Sequence, residues 1–198
     1  IRPNSATVYD FNINGAFKFG DAEFLYQMIR YLKPKRIIEV GSGSSTRLAC
    51  KAKNKNFEES GLKAQHICIE PYEMPWLENS GVIVIRDLLE NCDIGLFRDL
   101  EANDFLFIDS SHIIRPQGDV LKEYLEIIPM LKKGVYIHVH DIFTPRDYLD
   151  SWIREEIYLW NEQYLLEALL SNTRKYKIVA ALNLIYHSNY ESLKKVCP

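Results

Sequence analysis

The sequence lacks three features that would each point to a common class of protein. It has no apolar run near the roughly 18 residues that suggest a membrane span. Its cysteines, Cys50, Cys68, Cys92 and Cys197, form no CxxC pair, which excludes a zinc knuckle or a redox dithiol set by spacing. Its net charge of -3 provides no basic surface for nucleic acid or an anionic membrane. We therefore expect a cytoplasmic protein in a reducing compartment, with neither nucleic acid nor membrane as a partner.

Repeats and linkers are absent as well. The 198 residues, 47% of them hydrophobic, suffice for one compact domain with a sizeable core. No internal repeat, low-complexity segment or Pro/Gly/Ser-rich linker suggests a second domain. The chain begins with Ile1 rather than Met and ends in a short polar stretch that is typical of a helix. We predict a single domain over residues 1–198 and expect it to be part of a longer protein.

Two hydrophobic periodicities alternate along the chain. Six short apolar runs are typical of strands: "KRIIEV", "QHICIEP", "GVIVIRD", "DFLFIDSSH", "VYIHVHDIF" and "YKIVAALNLIY". Apolar residues recur at helical spacing in "GDAEFLYQMIRYLK" and "DVLKEYLEIIPMLKKG", and residues 46–60 predict a polar helix. Nearly continuous apolar strands indicate a sheet covered on both faces, which favours a doubly wound, mostly parallel α/β fold. The predicted parts are an N-terminal segment and helix (1–35), a ligand-binding core (36–143), a helical lid-like segment (144–172), and a last strand and tail (173–198).

Acidic residues close five of the predicted strands. They are Glu39, Glu70, Asp87, Asp109 and Asp141. In a doubly wound sheet, ligands bind outside the carboxyl ends of the strands, where the strand order reverses. One acid at a strand end is unremarkable, but five at the same edge of the sheet predict a binding site there.

The loop in "EVGSGSST" offers little side chain to a ligand. Gly41 and Gly43 lack the Cβ atoms that would hold a ligand away from the backbone. The hydroxyl residues at 44–46 can cap the next helix, whose free N–H groups face the same space. Glu70 follows at the end of the second strand, about 30 residues on, where an acid can bind both hydroxyls of a ribose. The combination predicts a nucleoside-containing cofactor.

These motifs resemble those of the class I S-adenosylmethionine-dependent methyltransferases over nearly all of the chain. "EVGSGSS" is similar to their first motif, "CIEP" to the acid of the second strand, "IRD" to the adenine contact of the third, and "FIDSSH" to the fourth-strand motif. "FIDSSH", "IHVHDIF" and "WNEQYLLEALL" also resemble a branch associated with sugar, polysaccharide and natural-product tailoring. The resemblance implies methyl transfer from S-adenosylmethionine to a small-molecule acceptor, most simply a hydroxyl of a sugar or sugar-like compound.

The resemblance further implies which residues bind the cofactor. Those of the loop that would lie against its methionine part are Glu39, Gly41, Ser42, Gly43 and Ser45. Glu70 would bind the ribose hydroxyls, Asp87 the adenine edge, and Asp109 with Ser110 would flank the amino-acid and sulfonium region. Ser45 replaces the third glycine of the fuller family pattern, and we expect binding to survive this small change. The family's sheet ends in a seventh, antiparallel strand, which we expect to be missing here.

Four residues are candidates for the base that an alcohol acceptor requires: His112, His138, His140 and Asp141. His112 follows the fourth strand, in a loop that usually lies over the active site of this fold, and we predict that it is the general base. His140 is the second candidate, because alternation places it with His138 on one face of the fifth strand, closer to the carboxyl edge. Asp141 is the third, since a residue at a strand end can turn into the cleft.

The sequence leaves a divalent metal open but does not favour one. Asp109 and Asp141 match two of the three ligand positions found in some relatives that the chain resembles. Ile142 occupies the third position and cannot bind a metal. His140 could replace it, but imidazole is a poor partner for Mg²⁺, which prefers oxygen.

The segment after the fifth predicted strand is rich in aromatic residues. Its spacing predicts one or two helices that pack on the sheet, preceded by a loop that contains Pro145. In that loop we expect Arg146, Tyr148 and Trp152 to help cover the acceptor. If exposed, the same aromatic residues would suit a homodimer interface.

Two alternatives to a methyltransferase stay open. One is an oxidoreductase or hydroxylase on a similar fold, and the other is a non-catalytic cofactor-binding module. A nicotinamide cofactor fits less well, because the dinucleotide fingerprint has its third glycine at the position of Thr46.

Overall fold

The computed structural model describes residue 17 and residues 20–196. The strands are β1 Arg36–Val40, β2 Gln65–Ile69, β3 Ile83–Ile85, β4 Phe105–Ile108 and β5 Tyr136–Val139. The helices before β5 are α1 Asp21–Leu32, α2 Ser44–Ser60, α3 Gly95–Arg98, α4 Asp119–Lys122 and α5 Ile128–Met130, with a 3₁₀ turn at Leu89–Asn91 and a π-helical turn at Glu123–Ile127. After β5 come α6 Asp150–Arg154, α7 Glu162–Ser171, α8 Leu182–Ser188 and α9 Tyr190–Val196. Most of the predicted N-terminal segment, residues 1–16 and 18–19, lies outside the described residues.

The strands form one parallel sheet in the order β3-β2-β1-β4-β5. From β1 the chain moves outward to β3, then returns to β4 on the other side of β1 and continues to β5. This confirms the predicted doubly wound, parallel α/β fold. Because the strand order reverses between β1 and β4, the crevice outside their carboxyl ends is the expected ligand site.

Successive side chains of each strand point to opposite faces of the sheet, so the hydrophobic core has two parts, one on each face. One face buries Ile38 and Ile108 against the helical residues of segment 119–130. The other face buries Ile37 and Phe107 against α1 and α2. Burial of each such side chain stabilises the fold by about 1.5–3 kcal/mol, so the strand ends are held firmly in place. Glu39, two residues after Ile37, lies on the second face and is fully buried.

The boundaries of α2 follow from its terminal residues. At the start, the backbone N–H of Gly43 donates to the Thr46 hydroxyl over 3.1 Å. At the end, Gly61 adopts a left-handed conformation with φ of 71°, and its N–H donates to the Phe57 carbonyl. The helix therefore begins at the carboxyl end of β1, with its amino terminus beside the crevice.

The predicted sixth strand is wrong. Residues 176–181 have neither helical nor strand structure, and α8 occupies the rest of the run. Ile178 and Val179 stay 62% and 61% exposed, so the segment does not bury the apolar face that a strand requires. In so short an apolar run, hydrophobic periodicity does not distinguish a strand from a helix. Leu182 and Leu184 have a high helix propensity and favour a helix. Within the described residues, β5 is therefore an edge strand.

The predicted helical segment 144–172 contains α6 and α7, which are joined by residues 155–161. The tail contains α9, as the polar pattern predicts. None of the helices in the described part of the chain combines the length and the apolar character that a membrane crossing requires.

Candidate functional site

Gly41 brings the loop after β1 into contact with the loop after β4. Its φ is 82°, a left-handed conformation, and a Cβ at this position would lie 2.0 Å from the carbonyl oxygen of Asp109. Only glycine allows both the turn and the close approach. Gly43 differs, because its φ of 176° is ordinary extended backbone and a Cβ would meet nothing within 4 Å. Gly41 therefore shapes the loop, while Gly43 leaves space beside it.

Glu39 anchors the same loop from below. Its Oε2 accepts a hydrogen bond of 2.5 Å from the Thr46 hydroxyl, which joins β1 to the first turn of α2. Its Oε1 is buried and has no hydrogen-bond partner among the described residues, and the same holds for the Ser42 hydroxyl. Unpaired buried oxygens are costly unless a ligand completes them. The loop thus presents one acceptor and one hydroxyl that a bound group could satisfy.

Glu70 stands beside this loop at the carboxyl end of β2 and is 4% exposed. One carboxylate oxygen accepts the backbone N–H of Ser42 and the other that of Tyr72, each over 2.9 Å. The carboxylate is thereby oriented, and each oxygen keeps one acceptor position for a hydroxyl group. Asp87 lies farther out, exposed, with Oδ1 accepting hydrogen bonds from Leu88 and Asn91.

The predicted catalytic residues meet around Asp109. Asp109 Oδ1 lies 3.3 Å from His112 Nε2 and 3.2 Å from His140 Nδ1. Asp141 Oδ2 lies 3.9 Å from His112 Nε2 and 3.3 Å from His140 Nδ1. Asp21, at the start of α1, adds a carboxylate 3.8 Å from His140 Nε2. The structure thus brings His112, His140 and Asp141 together with Asp109 in one charged cluster. His138, the fourth candidate, packs against phenylalanine rings instead.

Ser110 is placed differently from its neighbour. Its hydroxyl donates to Glu123 Oε2 over 3.2 Å, toward the π-helical turn. Burial, followed by the nearby charge of Glu162, raises the pKa of Glu123 well above its ordinary value. The Ser110 hydroxyl therefore supports the wall of the site in this structure.

Both histidines of the cluster are held as cations. Burial acts to lower the pKa of His112, but hydrogen bonds with Asp109 and Glu162 raise it to about 10. Burial also opposes the charge of His140, but its hydrogen bonds with Asp109, Asp141 and Asp21 raise the pKa to about 12. The same contacts hold the pKa of Asp109 below its ordinary value although burial would raise it. An imidazolium has no free lone pair, so His112 must first lose a proton before it can accept one.

Asp109, His112 and Asp141 could also hold a metal ion. Each offers one ligand atom, and the three atoms lie within 4.8 Å of one another. Two carboxylates and one imidazole suit a divalent cation that accepts oxygen and nitrogen ligands. The histidine in this group is His112, whereas the sequence indicated His140 as the replacement ligand. Ile142 contributes no ligand atom, as predicted.

A family comparison decides the general assignment of the chain. The profile of a family described as "Methyltransferase domain" matches residues 38–142, just over half of the sequence. The chain belongs to this methyltransferase family. The matched range extends from β1 past Asp141, so it includes every residue that was expected to bind the cofactor.

One similar protein is an uncharacterized protein of Archaeoglobus fulgidus. It is 30% identical to this chain over 96 residues, which cover 46% of this chain and 42% of that protein. The chain therefore spans less than half the length of this relative. No solved structure matches the sequence significantly.

Three consecutive residues outside the matched range, which no motif predicted as site residues, hold the site together. Glu162 is fully buried, and its two carboxylate oxygens contact His112 Nδ1 over 2.8 Å and the Tyr124 hydroxyl over 2.9 Å. Asn161 accepts the backbone N–H of Ile114, in the loop after β4. Gln163 accepts the N–H of Phe143, in the loop after β5. They lie in "WNEQYLLEALL", whose resemblance to one branch of the family indicated the segment but gave these three residues no individual role.

Aromatic rings lie beside His112. The Trp160 ring centre is 4.4 Å from that of His112, and Tyr158 stacks on Trp160 at 4.8 Å. Trp152 contacts Trp160 edge-on at 5.0 Å and is partly exposed. Tyr148 is buried against these rings, and the Arg146 side chain is exposed. We call Trp152, Tyr158 and Trp160 the aromatic wall.

A cavity of about 1280 Å³ runs along the free edge of β5. At one end it is lined by Asp21, His140 and Asp141, and it extends to Tyr176 and Tyr186. The glycine loop and Glu70 do not line it. The cavity therefore reaches the charged cluster from the side opposite the expected cofactor residues.

Proposed function

We propose that the protein transfers a methyl group from S-adenosylmethionine to a hydroxyl group of a small ring-shaped acceptor, such as a sugar. The observation that carries this proposal is the pair of unpartnered buried oxygens, Glu39 Oε1 and Ser42 Oγ, beside the oriented carboxylate of Glu70. They lie at the crevice where the strand order reverses, which is where this fold class binds ligands.

The donor set suits S-adenosylmethionine better than a phosphate-bearing cofactor. The ammonium group of its methionine part would satisfy Glu39 Oε1, and the ribose hydroxyls would use the free acceptor positions of Glu70. Asp87, exposed beyond β3, is available to the adenine amino group. The buried carboxylate of Glu39 beside the glycine loop would repel a pyrophosphate, which argues against a dinucleotide.

The chemistry assigns separate tasks to the protein and the cofactor. The sulfonium supplies an electrophilic methyl group, and the protein aligns the acceptor oxygen with it. The charged cluster must also take the hydroxyl proton. A nearby positive sulfonium favours the neutral imidazole of His112, whose Nε2 then becomes a proton acceptor between Asp109 and Asp141.

The aromatic wall supports a ring-shaped acceptor. Trp152 and Tyr158 present partly exposed faces beside His112, and sugar or phenol rings pack well on such faces. An acceptor on the wall would place its hydroxyl near the charged cluster.

Calorimetric titration of the metal-stripped protein with S-adenosylmethionine, S-adenosylhomocysteine and NADH tests the donor. We expect the two adenosyl ligands to bind and NADH not to bind. Glu70→Ala should weaken adenosyl binding by roughly 10- to 100-fold, because it removes a charged hydrogen-bond acceptor. Glu58→Ala, which changes an exposed residue of α2, is the control and should bind normally. Binding of NADH alone would contradict the proposal and favour an oxidoreductase.

A further inference from the structure

We propose that Glu39, His66 and Cys68 form a second metal site, which binds one zinc ion beneath the glycine loop. This site is separate from the charged cluster at Asp109. It shares Glu39 with the proposed cofactor site but uses the other carboxylate oxygen, and it does not depend on the proposed methyl donor or acceptor. We call the three residues the inner triad.

The pairing of β1 with β2 brings the inner triad together. Ile37 is paired with His66, and Glu39 with Cys68, in a parallel register. Residues two apart on a strand share a face, so Glu39, His66 and Cys68 all lie on the face covered by α1 and α2. The exposed fractions are 0% for Glu39, 2% for His66 and 0% for Cys68.

The distance between His66 and Glu39 fits a shared ion better than an ordinary hydrogen bond. His66 Nε2 lies 3.4 Å from Glu39 Oε2, beyond the usual range of about 2.7–3.2 Å for an N–H···O bond. Cys68 Sγ lies 3.5 Å from the same oxygen and 3.7 Å from the same nitrogen. An ion placed equally between these three atoms would be about 2.0–2.3 Å from each, the range of zinc bonds to nitrogen, oxygen and sulfur.

Neighbouring groups orient two of the three ligands, His66 and Glu39. Cys50 donates its thiol hydrogen to the Ser80 carbonyl, and its sulfur lies 3.7 Å from His66 Nδ1. The sulfur can therefore accept Nδ1–H, which leaves Nε2 with a free lone pair toward the triad. Thr46 fixes Glu39 Oε2 by a hydrogen bond of 2.5 Å. Outer partners of this kind are typical of metal ligands in proteins.

The donor set selects zinc among common ions. A thiolate, an imidazole and a carboxylate together match zinc, whereas Mg²⁺ and Ca²⁺ require oxygen ligands. The charges of the thiolate and carboxylate balance the two positive charges of the ion. The zinc site would therefore be electrically neutral overall and would have little electrostatic effect on the glycine loop. Bound zinc would join β1 to β2 directly below that loop and stabilise it.

Cobalt substitution provides the test. The protein is unfolded in denaturant with a chelator, freed of the chelator, and refolded with excess Co²⁺, which gives the ion access to the buried position. We expect one tightly held equivalent of cobalt with a sulfur-to-cobalt charge-transfer band, and a higher melting temperature with Zn²⁺ than with chelator. In Cys68→Ala the band should disappear and the zinc affinity should fall about 100-fold or more.

Two matched controls separate the inner triad from other groups. Cys92→Ala removes another buried cysteine, and Asp141→Asn changes the charged cluster. Both variants should keep the charge-transfer band. If the wild-type protein shows no thiolate band after refolding, or if the band survives in Cys68→Ala, the inner triad is only a buried hydrogen-bonded group. The wild-type spectrum decides the question even if Cys68→Ala fails to fold.

Discussion

Trp152 is the residue of the aromatic wall whose change should separate acceptor from cofactor binding. It is partly exposed and lies two rings away from His112, and no contact joins it to the glycine loop. We expect Trp152→Ala to lower kcat/KM for the acceptor by roughly 10-fold, because an aromatic contact is lost. The dissociation constant for S-adenosylhomocysteine should stay unchanged by calorimetry.

A change at Tyr31 controls for loss of any aromatic side chain. Tyr31 is 81% exposed on α1, and Tyr31→Ala should leave both quantities as they are in the wild-type protein. Equal loss of acceptor turnover and cofactor binding in Trp152→Ala would show that Trp152 has a structural role only.

Glu162 should act on the site through His112. Glu162→Gln keeps the shape of the side chain but removes the charge that helps to raise the pKa of His112. We expect the pKa of His112 to fall from about 10, and the pKa of Glu123 to fall as well, because Glu162 also raises it. Titration of the His112 ring by NMR measures the first change.

The matched control for this prediction lies on the same helix. Glu167 accepts a hydrogen bond from the Thr144 hydroxyl, and none of the described contacts joins it to His112. Glu167→Gln should therefore leave the titration of His112 unchanged. An unaltered pKa of His112 in Glu162→Gln would mean that Asp109 alone sets it.

The contrast between Glu70 and Glu162 shows which site residues the sequence could predict. Glu70 ends a strand close to a glycine loop, so its position follows from a local pattern. Glu162 lies 50 residues from His112, and no spacing rule connects them. Their contact depends on how α7 packs against the loop after β4, which is a property of the folded chain.

The two glycines of the loop after β1 predict opposite outcomes for the same substitution. Gly41→Ala forces a Cβ to within 2.0 Å of the Asp109 carbonyl at a left-handed φ, so we expect a loss of at least about 2 kcal/mol in the free energy of unfolding. Gly43→Ala meets neither problem and should leave stability nearly unchanged. Denaturant unfolding of both variants measures the difference.

Equal effects of the two substitutions would contradict the backbone geometry of this loop. Cofactor binding is a separate measurement, because a Cβ at Gly43 could reach the ligand without disturbing the fold.

Most of the strands, but not all of them, could be predicted from the sequence. Five of the six predicted strands are present, since continuous apolar runs between helices are a strong local signal. The run at residues 176–186 had the composition of a strand, but a strand also needs a partner for its backbone and a face to bury. Neither is provided to this segment among the described residues, and its second half forms α8 instead.

The stability of the metal-free protein should fall as the pH rises from 6.5 toward 10. The raised pKa values of His112 and His140, about 10 and 12, stabilise the fold fully below the unfolded value of 6.5, and this contribution is lost as the pH rises through the folded values. His138 acts in the opposite direction. Burial lowers its pKa to about 4, so its contribution is present above 6.5 and is lost as the pH falls toward 4. Melting temperatures across this range, with a chelator present, measure the profile.

Two variants should each change one side of this profile. Asp109→Asn removes the shared partner of His112 and His140, so the melting temperature should fall less between pH 7 and 10. His138→Phe removes the buried imidazole, which packs against Phe107. In this variant the melting temperature should depend less on pH below 6.5, with no change in its pH dependence above 6.5. A parallel shift of the whole curve in both variants would contradict the assignment of these groups.

Assembly and location stay predictions. Several aliphatic residues near the aromatic wall are exposed, among them Ile153, Ile157 and Leu159. They would suit the homodimer that the aromatic pattern suggests, or an apolar acceptor. The cytoplasmic location rests on composition alone.

Local patterns in the chain were sufficient to predict the doubly wound sheet, the glycine loop and the acids at the strand ends, because each depends on residues that are close in sequence. Packing decides the rest. Packing brings together segments that are distant in sequence, and it alone decides which histidine contacts which carboxylate. The contact of Glu162 with His112 is one example, and the cluster of Glu39, His66 and Cys68 is another. Short apolar runs such as residues 176–186 also obtain their structure from such partners, and a period along the chain does not reveal whether a partner is present.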